Sequence, residues 1–229
     1  TEYFGPVLGI MTAATLDEAI DLVNAIEYGL TSGLHALDDA EIARWLERVE
    51  AGNAYVNRGT TGAIVQRQPF GGWKKSAVGA GTKAGGPSYL YGLGTWRDVA
   101  VREGADALDA LARRATTALE DQADAGWLTA ALRTDVSAWR DEFGVARDVQ
   151  ALELEQNVLR YAPVPVTVRF EGDRIAHLIR VVAAGARTGA PLAVSAAGAL
   201  PTAVRHYLAE AGAELAVEDD AAWARRMPS

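Results

Sequence analysis

The sequence predicts an α/β fold, on three observations. Short apolar runs alternate with helical patterns between residues 6 and 57, the alternation returns between residues 163 and 226, and a helical stretch rich in Ala and Leu separates the two series. Residues 6–13 (PVLGIMTA) form an apolar run long enough for one buried strand. Thr15 then caps a helix, with Glu18 placed to complete a capping box and Ala19, Ile20, Leu22, Val23 and Ile26 recurring at helical spacing. Gly29 is its expected C-cap. Residues 30–37 read as a second strand. A second helix is expected from Asp39 to near Gly52, with Ile42, Ala43, Leu46 and Val49 on one face. Residues 53–57 (NAYVN) make a third short strand, and the aromatic, β-branched run 89–101 reads as a strand or hairpin.

Residues 103–150 predict two or three amphipathic helices. Beyond them come a strand over 163–170, a helix over 174–187, a buried strand over 191–195 and a helix over 201–211 with Pro at its first turn. A strand over 215–218 and a helix from Ala221 to Arg226 complete a second βαβαβα series, which implies a parallel sheet. The boundaries that follow are 1–102, a helical linker over 103–150, and 151–229.

Composition excludes several classes. Apolar residues make up 49% and charged residues 23%, ordinary globular values. No run of about 18 apolar residues exists to span a membrane, and the first residues lack a signal-peptide pattern. A net charge of -8 argues against a nucleic-acid partner. With no Cys and 3 His, neither a disulfide scaffold nor a metal site is expected. His35, His177 and His206 read as structural, and Trp73, Trp96, Trp127 and Trp139 as packing or interface residues.

The segment 58–88 is rich in glycine and has little periodicity, a composition more often functional than idle. Its Gly79-Ala80-Gly81-Thr82-Lys83-Ala84-Gly85 stretch lacks the following helix that a phosphate cradle needs, because Gly86-Pro87 blocks it. A loop that bends back over a pocket is the better reading. Lys74 and Lys75 could attract a dicarboxylate, but a Lys pair is more often a solvated surface feature.

Three motifs in order carry a resemblance. Glu2-Tyr3-Phe4-Gly5-Pro6, Gly52-Asn53-Ala54-Tyr55-Val56-Asn57 and Pro69-Phe70-Gly71-Gly72-Trp73-Lys74-Lys75-Ser76 resemble the C-terminal part of an aldehyde dehydrogenase catalytic domain, over about residues 1–92. Thr61-Gly62-Ala63-Ile64-Val65 and Lys83-Ala84-Gly85-Gly86-Pro87 narrow the likeness to the L-glutamate γ-semialdehyde (1-pyrroline-5-carboxylate) dehydrogenases. The wording from Arg58 to Ser76 looks most like the bifunctional proline utilisation A proteins. The fold implied is the distal half of a three-layer α/β catalytic domain with the start of its oligomerisation hairpin. A helical linker and a small Rossmann-like α/β extension follow it.

The resemblance implies roles residue by residue. Glu2 would hold the nicotinamide ribose hydroxyls, where without the motif a solvated glutamate would be the ordinary reading. Phe4 would pack beside the nicotinamide, or simply in the core. Gly62 and Ala63 would anchor the substrate's α-carboxylate through backbone N–H groups. Some relatives carry Ser where Ala63 stands, so a hydroxyl contact is absent here. Phe70 would pack on the aliphatic part of the substrate, or be an ordinary buried Phe. Ala77 replaces a Gly common in the wider family.

The implied chemistry runs from thiolate attack on the aldehyde, through hydride transfer to NAD, to hydrolysis of the thioester. These residues contain no Cys, so no catalytic residue is assigned within them, and a fragment inactive by itself is expected. The start at Thr1 suggests a truncated or processed piece of a longer protein. FAD enters only if a proline-oxidising domain precedes this segment. A cytoplasmic homo-oligomer acting on glutamate semialdehyde in proline catabolism is the expectation. The extension has Glu171-Gly172-Asp173-Arg174 where a dinucleotide fingerprint would stand, so its expected role is structural. Two alternatives remain: a non-catalytic assembly module, and an aldehyde dehydrogenase of other specificity. Glu2 together with the Gly62 loop speaks against the first, and the Thr61–Val65 wording against the second.

Overall fold

The structure, a computed structural model, describes residues 5–64, 67–77, 82–97 and 107–226. The chain divides into two compact units. The first comprises Thr1–Trp96 and Asp148–Leu159, the second Arg97–Arg147 and Arg160–Ser229.

In the first unit, α1 (Leu16–Asn24) starts at Thr15, whose Oγ1 accepts from Glu18 N at 3.2 Å. Glu18 reaches back to Ala14 N at 2.7 Å, one residue before the cap. The helix ends on Ala25, short of the expected Gly29. Gly29 lies instead in β1 (Tyr28–Gly29), where a Cβ would meet Glu50 O at 2.3 Å. Close approach of backbone, not helix capping, is its role. β2 (Thr31–Leu34) leads to α2 (Asp39–Arg48), capped by Asp38, which accepts from Ala40 N at 2.7 Å. β3 (Asn53–Val56) lies parallel to β2, with Thr31 opposite Asn53 and Leu34 opposite Val56. β4 (Trp73–Lys74) pairs antiparallel with β1.

The core of this unit gathers Ile20, Trp45, Val49 and Ala51, with Leu16, Leu34, Leu46 and Val56 around them. Trp45, only 4% exposed, is its largest member, while Ala43 from the expected apolar face is exposed. Trp45 and Val49 stand one turn apart, and the large indole outweighs a methyl in setting which face turns inward. Asp17 binds Arg44 and Arg48, each at 2.5 Å, tying α1 to α2 at the surface.

Two predicted strands are absent. Residues 6–13 run without secondary structure, because no described strand offers them a ladder. Tyr89–Leu93 is a 3-10 helix, and residues 94–97 form no strand. Tyr89 N donates to Gly86 O (3.2 Å) and Tyr91 N to Ser88 O (3.1 Å), so the Gly-Pro-Ser turn is propagated rather than an extended chain. Residues 98–101 lie outside the described residues.

The second unit opens with α3 (Ala110–Thr117) and α4 (Gln122–Ala138), capped by Asp109 and Asp121, and a single π-helical turn follows over Trp139–Phe143. A three-stranded parallel sheet comes next, in the order β5 (Val166–Phe170), β6 (Leu192–Ala196), β7 (Ala213–Val217). α5 (Ile175–Thr188) and α6 (Thr202–Glu210) make the two crossovers, and α7 (Asp220–Arg226) closes the chain. Pro201 is the N-cap of α6, one position before the predicted first turn. Leu128, Leu132, Ile179, Val182, Val194, Val204 and Leu208 form one continuous core. β6 reads Leu-Ala-Val-Ser-Ala and is the central, most buried strand, as an apolar run between two crossovers requires.

Candidate functional site

The loop that follows β3 holds the candidate substrate residues, and its framework is built from backbone contacts. Asn53 opens β3 and spans to the next motif: its Nδ2 donates to Pro69 O (3.1 Å), and its Oδ1 accepts from Gly71 N (3.1 Å). Phe70 and Ala84 exchange both backbone hydrogen bonds, at 3.0 and 2.9 Å. The Gly-rich segment therefore does return onto the Pro69–Gly72 stretch, although residues 78–81 lie outside the described residues. At Gly52 a Cβ would stand 1.9 Å from Gly71 O, so only glycine lets the two strands of chain meet.

Lys83 closes this arrangement. Its ammonium donates to Gly52 O, to Gly71 O (2.9 Å) and to Asn53 Oδ1 (3.4 Å). Burial pushes its pKa below the ordinary lysine value. Sequence reading placed Lys83 inside a motif and gave it no role. Nothing short of the fold could: its acceptors are main-chain carbonyls, which leave no trace in side-chain identity.

Phe70 is thereby fixed at its backbone while the residue is 36% exposed, so it is not an ordinary buried Phe. Gly62 and Ala63 lie in the exposed part of the loop. Gly62 has φ +84°, the left-handed region that favours glycine, and a Cβ there would meet nothing within 4 Å. Among the described residues neither the Gly62 nor the Ala63 N–H donates a hydrogen bond. Two adjacent amide groups without an acceptor among the described residues, in an exposed stretch with a positive φ, suit a carboxylate ligand. Glu2 and Phe4, the candidate cofactor residues, lie outside the described residues.

The lysine pair is exposed at the surface, as expected, and both lysines are also ion-paired. Lys74, at φ +51°, binds Glu50 (2.5 Å) and donates to Ile26 O (3.0 Å), and Lys75 binds Glu27 (2.5 Å). Both therefore fasten β4 to the α1–β1 connection. Trp127 packs against Arg174 (4.6 Å) and His177 (5.0 Å), in line with its packing role. Among the described residues no group of His, Cys, Asp and Glu could hold a metal ion, and no helix is long and apolar enough to cross a membrane.

A concavity of about 390 Å³ lies at the carboxyl ends of β5 and β6, lined by Phe170–Asp173, Ile175 and Ala197–Leu200. Glu171 and Asp173 place two carboxylates beside the start of α5, where a bound pyrophosphate would sit. Next to it Ser195, fully buried, donates to Glu218 (2.7 Å) and accepts from Arg169 (2.8 Å). Arg169 also binds Asp220 (2.5 Å), and Arg226 binds Glu218 (2.5 Å). These charges pair among themselves and fasten the strand ends.

Comparison with known proteins places the first part of the chain near one family. Residues 1–114 match the model of the "Aldehyde dehydrogenase family". The chain is 50% identical over 96 residues to the "Bifunctional protein PutA" of Rhizobium meliloti, covering 41% of this chain and 8% of that protein. It is 49% identical over 89 residues to a "1-pyrroline-5-carboxylate dehydrogenase" of Bacillus subtilis, covering 39% of this chain and 17% of that one. The solved structure of Proline Utilization A from Corynebacterium freiburgense matches 93% of this chain and 23% of its own, with TM-score 0.75 and 42% identity. The chain thus spans less than a quarter of the length of each of these relatives.

Proposed function

We infer, from the premise that residues 1–114 belong to the aldehyde dehydrogenase family, that this chain supplies the substrate end of an NAD-dependent L-glutamate γ-semialdehyde dehydrogenase acting in proline catabolism. The observation that carries the reading is the Gly62–Ala63 stretch: two adjacent N–H groups of exposed residues that donate to nothing among the described residues, on a loop whose flanks are fixed by Asn53 and Lys83. Its chemistry is selective for a substrate that carries a carboxylate as well as an aldehyde. The identities of about 50% with a PutA and a 1-pyrroline-5-carboxylate dehydrogenase support the same reading.

In this reading Gly62 and Ala63 bind the α-carboxylate, and Phe70 covers the aliphatic chain between it and the aldehyde. The aldehyde carbon is then held at a fixed distance from the anchor, which is where orientation lowers the barrier. Bound NAD would accept the hydride released as the aldehyde carbon is oxidised to the acyl level. Glu2 and Phe4 would hold its nicotinamide ribose. The thiol nucleophile is not among these residues, since the chain has no Cys. The 151–229 extension, apart from its stretch that belongs to the first unit, is structural, and the enzyme works as a homo-oligomer.

The test uses the full-length polypeptide that carries these residues, assayed for NADH formation with glutamate γ-semialdehyde and with butanal. A preference for the semialdehyde of about a hundredfold or more in kcat/KM is expected, given that an unpaired anchor strongly penalises the substrate lacking its partner group. Equal turnover of the two aldehydes would reject the substrate assignment.

A further inference from the structure

Asp148–Leu159 belongs to the first unit, although it lies far along the chain from the rest of it. Asp148 folds this segment into a closed loop. Its Oδ1 accepts from Gln150 N (3.1 Å) and Ala151 N (3.0 Å), and its Oδ2 accepts from Asn157 N (3.1 Å). Those backbone donors hold the Asp148 carboxyl below the ordinary value. Ala151 takes φ +45° to make the turn. The loop so closed presents Glu155 and Asn157 to the substrate-anchor segment.

The contacts there form one chain of polar groups. Glu155 Oε1 accepts from Asn157 Nδ2 (3.1 Å) and from Arg67 Nη1 (3.3 Å), and its Oε2 lies 3.7 Å from Arg58 Nη1. Arg58 and Arg67 flank the Gly62–Ala63 turn in sequence. With its oxygen turned to Arg58 Nη1 (2.5 Å), the Gln68 amide donates from nitrogen to Gly62 O (3.3 Å). Gly62, the anchor glycine, is therefore tied through Gln68 and Arg58 to a carboxylate that the sequence places 93 positions further on (155 against 62).

We propose that Glu155 is a positioning residue for the substrate anchor: by holding Arg58 and Arg67 it fixes the Gly62–Ala63 turn and keeps the two guanidinium groups from taking the substrate's carboxylate themselves. This rests on the dehydrogenase reading above. One carboxylate shared by two guanidinium groups is more than a surface pair, since both arginines are anchored by the same group and neither is fully exposed. The net positive charge left over favours an anion at the turn without a direct side-chain contact.

The experiment compares Glu155→Gln with the parent in the full-length polypeptide, using glutamate γ-semialdehyde and butanal as substrates. KM for the semialdehyde is expected to rise about tenfold with kcat within about twofold, the signature of lost ground-state and transition-state binding alike. kcat/KM for butanal, which has no carboxylate to anchor, is expected to stay unchanged. Unchanged kinetics on both substrates overturn the proposal. A parallel loss on both assigns Glu155 a merely structural role and also overturns it. A lower KM for the semialdehyde would mean that the freed arginines bind the carboxylate better than the turn does, a third way to lose it. Failure of the parent itself to oxidise the semialdehyde, with butanal oxidised, would strike the dehydrogenase assignment rather than the variant comparison, and the inference with it. If Glu155→Gln does not fold, Glu155→Asp retains the charge and shortens the reach, and the same substrate split is read from it.

Discussion

Lys83 carries its ammonium to the oxygens of Gly52, Gly71 and Asn53, which no arrangement of surface charge would require. Substituting methionine keeps the length and apolar stem but leaves those acceptors without a donor. Lys83→Met is expected to lower stability by about 1–3 kcal/mol, read as a shift of the urea midpoint at unchanged slope. A shift under about 0.5 kcal/mol, the usual size of a neutral surface change, would mean that water replaces the ammonium freely. At the same scale the sequence was informative wherever a residue type has one dominant use. Thr15 was read as a cap, and its side-chain oxygen does meet a free N–H group of the helix start. It was uninformative for Glu155 and Lys83, whose partners come from distant segments.

At the scale of elements, the meeting of β3 with the Pro69–Gly72 stretch depends on the absence of one carbon. Gly52→Ala would place a Cβ 1.9 Å from Gly71 O, backbone against backbone. The variant is expected to lose more than about 3 kcal/mol, in the range of severe overpacking, and to lose the Phe70–Ala84 pairing, which amide exchange at Phe70 and Ala84 would report. Protection equal to the parent's would refute this. In the second unit the strand ends are fastened by Arg169, Ser195, Glu218 and Arg226. The guanidinium of Arg226 and then the hydroxyl of Ser195 hold the Glu218 carboxyl below its ordinary 4.5. A carboxyl with a lowered folded pKa adds stability above the unfolded value and loses it as pH falls through the folded one. Glu218 should therefore contribute to acid unfolding that begins below about pH 4.5. Glu218→Gln is expected to flatten the pH dependence there, and an identical slope in parent and variant would count against the network.

At the scale of the whole molecule, Val7, Leu8, Ile10 and Met11 form a run exposed to between 69% and 85%. Isolated exposed apolar residues are normal, but a contiguous run is a sticky surface. The 229-residue chain is expected to self-associate with rising concentration in sedimentation, and Leu8→Asp with Ile10→Asp to reduce it. A monomer at all concentrations would show the run to be inert. The same chain is expected to form no NADH from glutamate γ-semialdehyde, because it contains no thiol to begin covalent catalysis. Turnover by it would reject that mechanism.

The sequence by itself determined the α/β alternation, the start of the first helix, the parallel sheet of the second unit and the resemblance of about residues 1–92 to aldehyde dehydrogenases. These depend on periodicity, on capping chemistry and on motif wording, all of them short-range. Tertiary structure alone decided what needs a partner. Residues 6–13 have strand composition but no ladder, Trp45 displaced Ala43 as the inward residue, and the aromatic run at 89–93 coiled into a 3-10 turn. The site divided in the same way. Gly62, Ala63 and Phe70 became candidates through their motifs, whereas Lys83 and Glu155 carry no such signal, because each meets atoms that only the folded chain brings within reach.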